Sequence, residues 1–179
     1  MSQISVIIPN YNGARFLREA IDSALDQQGV DVEVIVVDDG STDDSREIIE
    51  SYGDRIWPIF QANQGACAAR NAGLAMARGE YVKFLDGDDY LLPDVLRQEY
   101  QQSCQIEEGQ ARRIVFGDYK LIDADGQAIG SDYYPVLQSG SELTLEQLIL
   151  RAPITSMPLY STTALKAVAC FDTQMPAAQ

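Results

Sequence analysis

Histidine is absent from the 179 residues, and with it go Ser-His and Cys-His nucleophile pairs, imidazole general bases and histidine metal ligands. Acid–base chemistry falls to carboxylates. Cysteine is sparse: Cys67, Cys104 and Cys170 are far apart, odd in number and form no Cys-x-x-Cys pair. That spacing supports neither a disulfide framework nor a zinc site and predicts buried, reduced thiols. Long apolar runs are missing too. No stretch approaches a membrane span, and the opening MSQISVIIPN lacks the basic and apolar segments of a secretory leader. The expectation is a cytoplasmic protein without a transmembrane segment, any peripheral membrane contact being left to regions beyond these residues. Basic residues are few: 13 Lys and Arg stand against 27 Asp and Glu, a net charge of −14. The cations do not cluster, which excludes a nucleic-acid partner and means that an anionic ligand would need a metal cation.

What is present is an alternation of strands and helices in a chain of single-domain length. ISVIIP is a β-branched apolar run suited to a central strand covered on both faces. Phe16, Leu17, Ala20, Ile21, Ala24 and Leu25 recur at helical spacing and predict a helix over 14–28. VEVIVVDD predicts a second buried strand, after which Ser41, Thr42 and Asp43 offer N-caps for a helix carrying Ile48, Ile49 and Tyr52. IWPIF contains Pro58, which cannot donate a ladder bond, so this weaker strand is expected at an edge or as an irregular segment. An alanine-rich helix over about 65–77 and a fourth strand, YVKFLD, come next, and Pro93 suits the first turn of a helix running towards Glu108. Beyond Gly109, RIVFGDYKLIDADGQAIG predicts strands with a hairpin turn at Asp125-Gly126. Thr144 and Gln147 form a capping box for LEQLILR, and Thr162 or Thr163 starts a further helix. TSMPLYSTT reads either as an edge of an acceptor pocket or as an ordinary core strand.

Strands alternating with helices build right-handed βαβ units, which bind ligands at the carboxyl ends of their strands. Three polar loops fall there: Pro9-Asn10-Tyr11-Asn12, Asp38-Asp39-Gly40-Ser41-Thr42 and Asp86-Gly87-Asp88-Asp89. Each alone is an ordinary turn composition. Together, acidic residues closing buried strands require cationic or hydrogen-bonding partners.

ISVIIPNYNGARFLREAIDSALDQQ, VEVIVVDDGSTDDS, NQGACAARNAGLAMARGEYVKFLDGDD and LLPDVL together resemble the family 2 glycosyltransferases over about the first half of the chain, with the motifs in order. The resemblance implies an α/β fold of the GT-A type: a mostly parallel, Rossmann-like sheet flanked by helices, with a smaller mixed acceptor-side part. It implies one domain over 1–179, residues 1–108 binding the nucleotide-sugar and 109–179 opening the acceptor half. In such enzymes Pro9 and Tyr11 would pack beside the nucleotide base, with Asn12 in the same loop, and Asp39 would accept a hydrogen bond from a ring N–H of uracil or a similar base. Gly65 would allow close backbone approach, while Arg70 and Asn71 would reach the nucleotide. Asp86 and Asp88, around Gly87, match the family's Asp-x-Asp motif, Asp88 holding Mn2+ or Mg2+ and Asp86 contacting ribose or the metal shell. Asp89 is expected beside the metal shell or as the N-cap of the segment after it. The implied reaction is inverting transfer from UDP-sugar, dTDP next, to a saccharide, lipid-linked or other hydroxyl acceptor. No catalytic base is assigned, because in relatives it comes after a Phe-Asp like Phe171-Asp172 and would fall beyond Gln179.

The competing readings are weaker. Asp-Gly-Asp-Asp superficially resembles aspartyl phosphotransferases, and VIVVDD the receiver modules of signalling, but both place their acids after the first strand. Neither G-x-G-x-x-G nor G-x-x-x-x-G-K-[ST] occurs, and DADGQAIGSDYY sets its glycine at the fourth rather than the sixth place of a calcium loop. A sugar-nucleotide-binding protein without transfer activity is the alternative to an enzyme.

Overall fold

The computed structural model describes residues 2–104, 115–116, 122–123, 125–127, 158–167 and 171–173. Strand β1 (Ile4–Asn10) lies between β2 (Val32–Asp38) and β4 (Tyr81–Phe84), parallel to both, and β3 (Trp57–Phe60) adds parallel to β2. Two antiparallel strands complete the other side, β6 (Pro158–Ser161) against β4 and β5 (Val115–Phe116) against β6, giving the order β3-β2-β1-β4-β6-β5.

Continuous apolar runs form the central strands because both faces of the sheet are covered. On one face Ile4, Val6, Ile8, Val34 and Val36 pack with Leu17, Ala20, Ile21 and Ala24 of helix α1 (Ala14–Leu25), with Ile48 and Ile49 of α2 (Ser45–Glu50) and with Leu96 of α4 (Val95–Cys104). On the other, Ile7, Ile35, Val37, Val82 and Phe84 pack with Ala69 and Leu74 of α3 (Ala66–Met76), and Leu165 of α5 (Thr162–Ala167) lies against this cluster. The period-2 alternation of strand side chains thus feeds two cores from one sheet. At Gly73, α3 approaches β1 so closely that a methyl group would collide with Ile7 Cγ2 and lie 3.3 Å from Val37 Cγ2.

Pro58 stands on the edge strand as expected, and β1 is central. Several boundaries differ from expectation. Helix α1 ends at Leu25, short of Gln28. Beyond it Gln27 turns inward, its amide donating to the carbonyls of Ser23 and Leu92 and accepting from the Leu96 N–H, so it serves the entry to α4 rather than an exposed helical turn. Helix α2 starts at Ser45 with no side-chain cap. Asp43 accepts the Ser45 N–H on one oxygen and the Ala14 N–H on the other, cross-linking two helix starts instead of capping one. Pro93 precedes α4 by two residues, since Asp94 adopts a positive φ of 64° before the helix begins at Val95.

Pro158–Ser161 is an inner strand with Leu159 buried and the Tyr160 ring edge-on to Phe84, which favours the core-strand reading of this segment. Thr162 opens α5, its hydroxyl donating to the Gly79 carbonyl. Around Asp125-Gly126 the Asp123 and Gln127 backbones close a turn, with Gly126 at φ 78°. Thr144, Gln147, Glu108 and Cys170 lie outside the described residues. Contrary to the expected burial, Cys104 is exposed and Cys67 half-buried; both are free thiols.

Candidate donor-binding site

The loops following β1, β2 and β4 meet on one rim because the three strands are parallel neighbours. The first two are stitched together. Asn10 Nδ2 donates to Asp38 Oδ1 and to Ser41 Oγ, both at 3.1 Å. Ser41 Oγ also accepts the Asn12 N–H at 2.9 Å, and Asn12 Oδ1 accepts the Thr42 N–H at 2.7 Å. Asn12 is held in the left-handed region, φ 54°, a conformation Asn tolerates. Its side chain therefore organises the second loop, while Tyr11, 55% exposed, leaves its ring open to solvent beside half-buried Pro9.

Asp39 is 3% exposed and accepts three hydrogen bonds: from Gln61 Nε2 at 2.7 Å, the Gln64 N–H at 2.9 Å and the Gly65 N–H at 2.7 Å. One carboxylate thus sets the course of 61–65 into α3. A carboxylate offers about four lone-pair sites, so one remains. Gly65, at φ 89°, immediately precedes the helix, and a Cβ there would meet nothing within 4 Å, leaving open space before the first turn of α3.

From α3, Arg70 Nη2 reaches Asp86 Oδ1 at 2.6 Å, the Arg70 side chain being 13% exposed and that of Asp86 30%. Its guanidinium also lies 5.8 Å from the centre of the Phe171 ring. Asn71, expected to reach the nucleotide, spends its amide on backbone: Nδ2 donates to the Phe171 carbonyl at 2.8 Å and Oδ1 accepts the Phe171 N–H at 2.9 Å. It retains one amide hydrogen and one lone pair. The Phe171 ring stands edge-on to Phe84, 5.1 Å between centroids. Near the same cation, burial pushes the Tyr160 phenol up to about 12, the Arg70 charge opposing.

Gly87 is half-buried and Asp88 exposed, while the Asp89 N–H closes a turn on the Asp86 carbonyl, six residues ahead of the start of α4 at Val95. Among the described residues there is no group of three or more His, Cys, Asp or Glu able to hold a cation. At this rim the chain offers Asp88, and Asp86 if Arg70 yields it.

Two features escaped the sequence reading. One is Asn10, 4% exposed, whose Oδ1 is buried without a hydrogen-bond partner. The other is a buried ion pair beneath the rim, Lys83 Nζ of β4 at 2.7 and 2.9 Å from the two carboxylate oxygens of Glu99 on α4. Burial pulls Lys83 down and pushes Glu99 up, each opposed by the charge of the other. A lone lysine within the apolar run YVKFL, and a glutamate three residues after Leu96 on the inner face of α4, were the available signals.

The family model for glycosyl transferase family 2 matches residues 5–138. The chain belongs to that family. Among curated relatives, an uncharacterised glycosyltransferase of Nostoc sp. is 45% identical over 150 residues, covering 78% of this chain and 47% of its own length. Glycosyltransferase GlyG of Streptococcus pneumoniae is 34% identical over 152 residues, covering 83% of this chain and 48% of GlyG. The chain thus spans less than half the length of these relatives. Among solved structures, S. aureus TarS 1–349 superposes with a TM-score of 0.73 at 27% identity, covering 98% of this chain and 52% of TarS. TarS 1–349 in complex with UDP-GlcNAc gives 0.72 at 26% identity, covering 94% and 48%. The fold of this family 2 chain is accordingly GT-A, and no helix among its described residues is long and apolar enough to cross a membrane.

Proposed function

We propose that this family 2 chain binds a nucleoside-diphosphate sugar, uridine preferred and thymidine next, and serves its metal-assisted, inverting transfer to a saccharide, lipid-linked or other hydroxyl acceptor. The observation carrying this reading is the convergence of Tyr11, Asp39, the Arg70–Asp86 pair and Asp88 on one rim, built from three strand ends. Tyr11 offers an exposed ring for a base to lie against, and Asp39 has a lone pair left for a ring N–H, which uracil and thymine possess. The TarS complex makes UDP-GlcNAc the first donor to try.

Asp88 and Asp86 suit a cation such as Mn2+ or Mg2+ that takes one or two carboxylates and completes its shell with phosphate and water oxygens. When bound, the cation would offset charge growing on the departing nucleoside diphosphate. Transfer breaks the bond between the anomeric carbon and the diphosphate oxygen. The acceptor oxygen bonds that carbon from the opposite face, and its proton passes to a carboxylate base. The proposed setting is the cytoplasm, any peripheral contact with the membrane being left to regions beyond these residues.

Thermal denaturation with UDP, dTDP, GDP and CMP, each with and without Mn2+, tests the reading. A ligand at one hundred times its dissociation constant adds about 2.7 kcal/mol. Stabilisation by UDP or dTDP that grows with Mn2+ is expected, with Asp88→Ala removing the metal-dependent part. Asp39→Ala should abolish the whole response, although it also releases 61–65. Indifference to all four nucleotides, with and without metal, overturns the assignment.

A further inference from the structure

Asn10 ends β1 with both amide hydrogens committed, one to Asp38 and one to Ser41, so its orientation is fixed by the second loop. That orientation aims Oδ1 away from Asp38, into the seam between the first loop and the third, where it is buried and unpaired. An unmatched buried acceptor carries a desolvation penalty, so any donor that reaches it is favoured. Two glycines close on this oxygen. A methyl group on Gly13 would collide with it, and one on Gly87 would lie 3.4 Å away. Gly13 is immobilised as the residue before α1, its carbonyl accepting the Phe16 and Leu17 N–H groups. Gly87 lies between Asp86 and exposed Asp88, in a loop whose one backbone bond among those described joins the Asp89 N–H to the Asp86 carbonyl. On the acidic side of the seam Asp88 is exposed.

We propose that Asn10 is a positioning residue joining the base side of the cleft to its diphosphate side: when Asp88 turns inward to a metal-bound nucleoside diphosphate, Asn10 Oδ1 accepts a backbone N–H of the Gly87-Asp88 unit. The inference rests on the donor-binding reading above. It assigns Asn10 no contact with substrate. Its effect is on how far metal binding at Asp88 tightens the grip on a nucleotide whose base lies against Tyr11 and Asp39.

The test is calorimetric titration of UDP, without metal and with saturating Mn2+, for the wild type, Asn10→Ser and Gly87→Ala. The quantity of interest is the ratio of the two dissociation constants. Asn10→Ser removes the amide acceptor together with the donors to Asp38 and Ser41. Gly87→Ala leaves the Asp38 network intact but puts a methyl group into the seam, so it serves if Asn10→Ser folds poorly. Both are expected to shrink the Mn2+ enhancement by about fivefold or more, the scale of coupling between sites, with a smaller change in metal-free affinity. In hydrogen exchange, protection of 85–90 on adding Mn2+ and UDP should weaken in both variants. Loss of affinity by one common factor with and without Mn2+ would make Asn10 merely structural and overturn the proposal, leaving the donor reading intact. A wild type that binds no UDP under either condition overturns both.

Discussion

Lys83 and Glu99 put two opposite charges at 3% and 4% side-chain exposure between strand β4 and helix α4. Removing water from both ions costs several kcal/mol, which their mutual attraction and two short hydrogen bonds return only while both are present. Glu99→Ala is therefore expected to lower unfolding free energy in urea by about 3 to 5 kcal/mol, since it removes the carboxylate partner of a buried ammonium. The double replacement Lys83→Met with Glu99→Leu should come close to the wild type or exceed it. A small loss for Glu99→Ala, or a double variant worse than the single, would contradict this account. Asn71 illustrates the opposite economy: a neutral amide substitutes for a strand neighbour at Phe171, satisfying one donor and one acceptor at once.

At the scale of elements, the approach of α3 to β1 is set by Gly73. Alanine is the better helix former by about 1 kcal/mol, but here its methyl group enters the volume of Ile7 Cγ2, and overpacking of this kind costs about 1 to 3 kcal/mol. Gly73→Ala should thus lower the melting temperature, and Ile7→Ala in the same chain should cost less than it does alone, a non-additivity that a double-mutant cycle reads directly. Equal costs of Ile7→Ala in both backgrounds would place the strain elsewhere. The strands and helices of the parallel half were legible because their apolar periods are local properties of the chain. So was the gathering of Tyr11, Asp39, Asp86 and Asp88 on one rim, which comes from strand polarity alone. Helix ends were less so: Gln27 and Asp43 stop or delay their helices by bonding residues distant in sequence, and no local propensity registers that. For the same reason the bonds from the Asn12 and Asn71 side chains to Thr42 and Phe171 could not be read from the sequence.

Across the whole molecule, the acid-rich composition invites attention to low pH, yet two phenols, buried Tyr52 and half-buried Tyr160, predict a loss at the other extreme. Tyr52 is pushed up to about 12 by burial and by its hydrogen bond to Asp22, and Tyr160 to about 12 by burial. Both folded-state values exceed the ordinary value of 10, so the native state holds these protons more tightly than the unfolded chain does. The stability they contribute is whole below pH 10 and is lost as pH rises from 10 to about 12. Chemical denaturation across that window should show the decline, and Tyr160→Phe, which keeps a ring against Phe84, should flatten part of it. A decline of unchanged steepness in Tyr160→Phe would remove this phenol as a cause.

The Asn71–Phe171 clasp joins positions 100 residues apart, and on a ribosome that separation is a delay. At synthesis rates of about 5 to 20 residues per second, Asn71 emerges roughly 5 to 20 seconds before the backbone it will hold. During that interval the nascent chain already contains β1, α1, β2, α2, β3 and α3, whose sheet contacts are mutual and need nothing downstream of β4. The parallel half has time to assemble with the slot for Phe171 vacant. Docking of the later segment then resembles the closing of a buckle on a finished garment more than a step in its weaving.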